Sequence, residues 1–341
     1  MKPATPAFFA AAWLLPLGVG AAAWVSPWAA WALMLGVQVL LALLERVPAL
    51  QRSPAPAAPA GGFRAVLRVH VLLQVALLAV GVAVAVDPAH AVWAVVALGI
   101  GVGGVTGGQG ITFAHELGHG RSRLDRALAW LLMGSVLYAH FMVEHYRGHH
   151  VRAATAADPA SARRGESLWR FLPRTLAGSL ASAWRLEAQQ LARLGRGWRA
   201  SPMLWATLAQ AAGLVGLTWI FGPHALLFWL VQAGYAVFLL ETINYIEHYG
   251  LTRRVSARGV EPFGLQHAWN ADHAPTNALI ANLQRHSDHH MHAWKPFETL
   301  APLPGPQLPT GYAGCLFLAT LPPLWFRLME PRLARLAPAG A

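Results

Sequence analysis

Two scarcities bound this 341-residue sequence: it has one cysteine, Cys315, and little charge of either sign. One cysteine excludes a disulfide framework. It also excludes zinc ribbons, iron–sulfur clusters and rubredoxin-type iron held by four thiolates, each of which needs several sulfurs in one place. Charged residues make up 12% of the chain, about half the share usual in a soluble domain. Acids are scarcer than bases, 15 against 26, for a net charge of +11. Such a balance can mark a nucleic-acid partner. Here the basic residues are separated by apolar runs too long for a soluble fold, so no nucleic acid is expected.

What is abundant is apolar surface, at 55% of residues, and histidine, at sixteen. Six apolar stretches, about 6–25, 28–45, 65–86, 90–113, 203–221 and 224–246, approach or reach the roughly 17–25 residues that cross a bilayer. They pair into hairpins turned at "VSPW" (25–28), "DPAH" (87–90) and "FGPH" (221–224), and "SPAPAAPAGG" (53–62) is a linker. No small-residue cleavage site with a polar mature chain follows the first stretch, so it reads as a retained helix. The three turns contain no Lys or Arg; the basic residues fall in the N-terminus, 46–68, 121–199 and beyond 252. That one-sidedness predicts both termini and both long loops in the cytoplasm. The fold class expected is all-α: one integral membrane domain, 1–341, of about six transmembrane helices, with cytoplasmic segments 114–202 and 247–341. Within these, 126–143 reads as a short buried or re-entrant helix, and 167–199, with Trp169, Trp184 and Trp198 among arginines, as an interfacial helix that meets membrane lipid. Prolines 322 and 323 argue against a seventh span over 311–329.

The histidines form four boxes: "HELGH" (115–119), "EHYRGHH" (144–150), "NYIEHYGL" (244–251) and "LQRHSDHH" (283–290). All are expected at the cytoplasmic ends of spans or in the cytoplasmic segments. Residues three or four apart share a helix face, so the pairs 115/119, 145/149, 286/289 and 286/290 can each aim at one point. His150 and His289 point partly sideways, toward a second metal. The candidate ligands are His115, His119, His145, His149, His150, His248, His286, His289 and His290. Nine imidazoles oversupply one tetrahedral ion and fit two. Thiolate-free nitrogen sites suit iron, copper or zinc, and spacing alone does not choose among them. Glu116, Glu144, Glu247 and Asp288 lie beside these ligands and are candidates to hold their second ring nitrogens. Glu241, an acid near a span end, joins them. His70, His90 and His224 read as structural; His140, His267, His273 and His292 lie near the boxes in supporting or surface roles.

Taken together the boxes resemble those of the membrane di-iron alkane 1-monooxygenases, the alkane hydroxylases. The likeness extends through "HHVRAATAADPASARRGESLWRFLPRT" (149–175), "QLPTGY" (307–312) and "LPPLWFRLMEPRL" (321–333) and is dense over 111–333. It departs at Gly120, where the family usually has lysine. The resemblance implies two non-haem iron ions held by the nine histidines, and O2-dependent hydroxylation of an alkane drawn from the bilayer. It implies an NADH-dependent rubredoxin reductase and an acidic rubredoxin, which the arginine-rich cytoplasmic face would suit. With one cysteine, the chain carries no fused rubredoxin, so that donor is expected as a separate protein. A bacterial inner membrane is expected. No catalytic acid or base is assigned beyond the metal centre. Trp28 and Trp31 are candidates to close a substrate channel, although interfacial anchoring explains them as well. The glycines from Gly99 to Gly110 either let helices approach or leave room for substrate. Rival readings are a hydroxylase of alkylbenzene methyl groups, a fatty acyl desaturase or lipid hydroxylase, a zinc protease built on HELGH, and a metal transporter.

Overall fold

The structure, a computed structural model, describes residues 2–257 and 259–336; the outermost residues of the expected 1–341 domain, 1 and 337–341, lie outside the described residues. Among the described residues five helices are long and apolar enough to cross a membrane: Pro6–Val25, Pro27–Leu44, Gly61–Ala85, Val92–His119 and Pro202–His248. At two of their starts the local chemistry is plain. The Ser26 hydroxyl accepts from the Ala29 amide at 3.0 Å, and Pro27 takes the first helical position, where no N–H is needed. Ser201 and Pro202 repeat the device, with the Leu204 amide 3.1 Å from the hydroxyl.

The 47-residue Pro202–His248 helix would be about 70 Å long if straight, over twice the apolar thickness of a bilayer. It is broken at Gly222, whose φ of 80° and ψ of −177° are non-helical. Glycine tolerates that φ, and Pro223 supplies no amide to continue the ladder. The two apolar stretches read at 203–221 and 224–246 are the arms on either side of this break.

Val92–His119 is the most buried of the five and packs against its neighbours through glycine. A Cβ on Gly101 would stand 2.8 Å from the Ala30 backbone, one on Gly103 2.7 Å from the Gln232 carbonyl, and one on Gly107 2.6 Å from Ala236 Cα. These glycines are therefore there for close approach. Gly108 differs, with nothing within 4 Å of its absent side chain. The helix also runs past its expected end at 113. A π-helical turn, Thr106–Ile111, leads into Thr112–His119, which carries the first box.

The other departures are local. The helix expected over 126–143 is two, Arg123–Ser135 and Phe141–Glu144. Between them Leu137 adopts φ 57°, and the turn lets Tyr138 reach Glu241 at 2.7 Å. Leu168–Arg193 is a single amphipathic helix whose buried residues include Leu168, Phe171, Thr175, Ser179, Ser182 and Leu191. That spacing of three or four marks one face. The segment 311–329 divides into Tyr312–Ala319 and Pro322–Leu336, which turns at Pro322. A two-stranded antiparallel hairpin, Val255–Ser256 with Gly259–Val260, was not expected.

Candidate metal centre

All four boxes meet at one end of the bundle, and the nine histidines sort into two groups. His115, His119, His145, His150 and His289 form one; His149, His248, His286 and His290 form the other. Within each group one ring nitrogen from every residue lies within 4.8 Å of all the others. Nε2 of His115 is 2.9 Å from Nε2 of His289 and 3.2 Å from Nε2 of His119. Nε2 of His145 is 2.9 Å from Nε2 of His150, and Nε2 of His286 is 3.3 Å from Nε2 of His248. The groups adjoin: the His150 and His290 rings are 4.5 Å apart between centroids.

Two of the four spacings expected to converge do so, 115/119 and 286/290; 145/149 and 286/289 are split between the groups. His145–His149 is a π-helical turn, closed by the His150 amide donating to the His145 carbonyl five residues back. In an α-helix a residue five positions on lies about 140° round the axis. The π turn instead brings the fifth residue back over the first, so His145 pairs with His150 and His149 passes to the other group.

The second ring nitrogens show what holds the imidazoles. His149 Nδ1 donates to Asp158 Oδ2 at 2.9 Å, both residues being buried. Ser161 donates to the same oxygen at 2.6 Å. His248 Nδ1 donates to the His267 carbonyl at 3.3 Å. Glu247 Oε1 lies 3.2 Å from His286 Nδ1, off the line of a good hydrogen bond, and is itself held by the Tyr312 hydroxyl at 2.8 Å. The other acids singled out in the sequence are engaged elsewhere. Glu116 accepts from the Phe297 amide, Glu144 pairs with Arg152, and Glu241 takes Tyr138, Thr175 and Asn244. Asp288 takes His292, Lys295 and the Ala301 amide. The sequence shows Asp158 only inside the stretch 149–175, with nothing to single it out: it lies in a loop nine residues after His149, where helical spacing carries no information. Tyr312 was visible only as the end of "QLPTGY".

Burial, then repulsion from neighbouring imidazoles, holds His145, His150, His286, His289 and His290 well below the ordinary histidine range. That shift favours the neutral ring, the form that has a lone pair to offer a metal. Burial by itself would raise the Asp158 carboxyl; the adjacent His149 and the Ser161 hydroxyl outweigh it and keep the acid below its usual range. Converging imidazoles without a thiolate, two of them with the second ring nitrogen hydrogen-bonded, are groups that could each hold a transition-metal cation. Neither ring nitrogen of His290 has a hydrogen-bond partner among the described residues, as suits a ligand.

An apolar cavity of about 120 Å³ ends on this cluster. Leu15, Met34, Leu41, Leu240, Ile243 and Leu316 line its body, with Gly104, Gly107 and Gly108 on one wall, and His115, His145, His149 and His286 at the metal end. Trp28 and Trp31, an edge-to-face pair 6.2 Å apart, are not part of its lining; Met34, one turn on, is. His70 packs edge-on to Phe113, His90 bonds the Val84 carbonyl, His140 lies against Tyr138 and His292 meets Asp288. Like His224, His267 and His273, they stay outside both groups.

Residues 91–315 match the fatty acid desaturase family. The chain belongs to that family. Within it the histidine boxes and the relatives place it with the alkane hydroxylases, as a multi-pass membrane protein. It is 45% identical over 239 residues to alkane 1-monooxygenase 1 of Pseudomonas aeruginosa, covering 69% of this chain and 62% of that protein. It is 42% identical over 240 residues to alkane 1-monooxygenase of Acinetobacter baylyi, 69% of this chain and 59% of the other. Against the xylene/toluene monooxygenase hydroxylase component of Pseudomonas putida the identity is 31% over 224 residues, 64% of this chain and 59% of that protein. The matches span about three fifths of each relative's length.

Proposed function

We propose that the chain hydroxylates the terminal methyl group of n-alkanes with O2, giving 1-alkanols, at a non-haem di-iron centre. The observation that carries this is an apolar cavity that ends on two adjoining histidine groups. His115, His119, His145, His150 and His289 would hold one iron, and His149, His248, His286 and His290 the other. Bound there, iron supplies the O2 activation and C–H oxidation that no side chain can perform.

The protein's part is placement and exclusion. An alkane offers nothing to hydrogen-bond, so Leu15, Met34, Leu41, Ile243 and Leu316 would select it by shape and by a mostly apolar wall. Terminal selectivity would follow if the cavity admits the alkane end-on, so that only a chain end meets the histidines. Asp158, Glu247 and Tyr312 fix ring orientation from behind. The same apolar wall keeps water from the reacting carbon. Electrons would come from a separate rubredoxin, reduced by an NADH-dependent reductase. In this reading the broken Pro202–His248 helix contributes two of six spans, and the histidine end and both termini face the cytoplasm of a bacterial inner membrane. A second reading, hydroxylation of alkylbenzene methyl groups, is favoured by the match to the xylene/toluene enzyme component.

One experiment separates these. The chain is expressed in membranes, iron and zinc are counted, and rubredoxin, its reductase, NADH, octane and p-xylene are supplied. The proposal expects about two irons per chain and 1-octanol as the main product. Faster turnover of p-xylene would move the assignment to alkylbenzenes; a single zinc and no O2-dependent alcohol would end both readings.

A further inference from the structure

The two histidine groups have different surroundings. The group of four has two carboxylates within ion-pair distance of its rings, Asp158 at 2.9 Å from His149 Nδ1 and Glu247 at 3.2 Å from His286 Nδ1. A backbone carbonyl takes the second nitrogen of His248. Among the described residues, none of the five rings in the other group has a carboxylate on it: the only other histidine–carboxylate contacts involve His267 and His292, which are in neither group. All four rings of the carboxylate-backed group are buried, whereas His119 and His150 of the other are only partly so.

We infer that the groups are unequal metal sites, the four-histidine group filling first and holding its ion more tightly, with Asp158 as the positioning residue responsible. This rests on the two-metal reading above. A carboxylate accepting a proton from Nδ1 fixes the tautomer that leaves the Nε2 lone pair facing the ion, raises the basicity of that nitrogen, and brings a negative charge near a divalent cation. Asp158 is itself fixed: Ser161 donates to Oδ2 at 2.6 Å and the Ala160 amide to Oδ1 at 3.2 Å. The His149 tautomer is therefore set before any metal arrives. Glu247 lies 3.2 Å from His286 Nδ1 without hydrogen-bonding to it, held there by Tyr312, so its effect on the same group is the weaker one. In the five-histidine group no such acid decides the tautomers among the described residues; packing such as Phe141 on His145 orients a ring without choosing which nitrogen carries the proton.

The test is a Co2+ titration of the full-length, metal-stripped chain in detergent, with a competing chelator and the visible Co2+ spectrum as readout. Two resolved steps are expected. Asp158→Asn should weaken the first by about 10- to 100-fold and leave the second in place. His149→Ala should remove the first step, and His119→Ala should weaken only the second. Glu247→Gln, acting on the same group through His286, tests the idea independently if Asp158→Asn does not fold. Two equivalents binding with one affinity, or Asp158→Asn moving both steps alike, overturns the inference and leaves the two-metal reading standing. Fewer than two equivalents in the unaltered chain overturns both.

Discussion

A histidine offers a metal one nitrogen and the protein the other, so the partner of the second nitrogen decides where the first points. Here those partners come from outside the boxes or from one member of them: Asp158 for His149, the His267 carbonyl for His248, Glu247 for His286. The ligand candidates were legible because the boxes are short and their residue type is distinctive. Asp158 was not, because a loop brings it back by a path that no periodicity describes. Other buried histidines make a different contribution. Burial pushes His140 down to about 4 from an ordinary 6.5, and its Nε2 has no partner among the described residues. Between those two values the unfolded chain binds the proton and the folded chain does not, so folding weakens as pH falls through that window and levels off below it. His140→Gln should therefore flatten part of the acid-side loss of stability. The check is the thermal midpoint of the metal-free chain in detergent, taken from neutral to acid pH; parallel curves for the variant and the parent would refute it.

At the scale of the element, the apolar runs announced the spans and the hairpin turns at 25–28, 87–90 and 221–224 fell where helices end or break. The π turns at Thr106–Ile111 and His145–His149 were not legible, since a π turn differs from an α turn by one residue and needs tertiary packing to choose it. The glycine run shows the same limit, because the sequence cannot say which glycines touch backbone and which face a void. Gly107→Ala drives a methyl to within 2.6 Å of Ala236 Cα, and should cost about 1–3 kcal/mol as overpacking. Gly108→Ala meets nothing, and should be neutral or gain about 0.5–1 kcal/mol from helix propensity. Thermal unfolding of the two variants decides, and equal midpoints would count against the packing account. Because Gly108 lines the cavity, Gly108→Leu should fill part of it. Turnover of long alkanes should then drop relative to short ones, measured as a product ratio in mixed-substrate assays; an unchanged ratio would mean that the substrate does not pass Gly108.

At the scale of the whole molecule, the net charge of +11 and the position of the histidine cluster bear on where the proposed electron donor would dock. The hairpin after the third box brings the surface close to the four-histidine group. Arg254 is almost fully exposed beside it, paired with Glu261, and Val255 and Val260 are exposed on its strands. Arg253 lies over the Phe263 ring at 5.9 Å, and Phe263 stacks on His290 at 4.6 Å between centroids. One aromatic side chain thus separates an exposed basic hairpin from a candidate ligand. An acidic donor docking there would be steered by charge, which governs encounter more than the step that follows. Arg254→Glu should then raise the donor KM with little change in kcat, and added salt should slow turnover at limiting donor but not at saturating donor. The opposite pattern, a fall in kcat with KM and salt response unchanged, would place the donor on another face and leave the arginines to topology and anionic lipid.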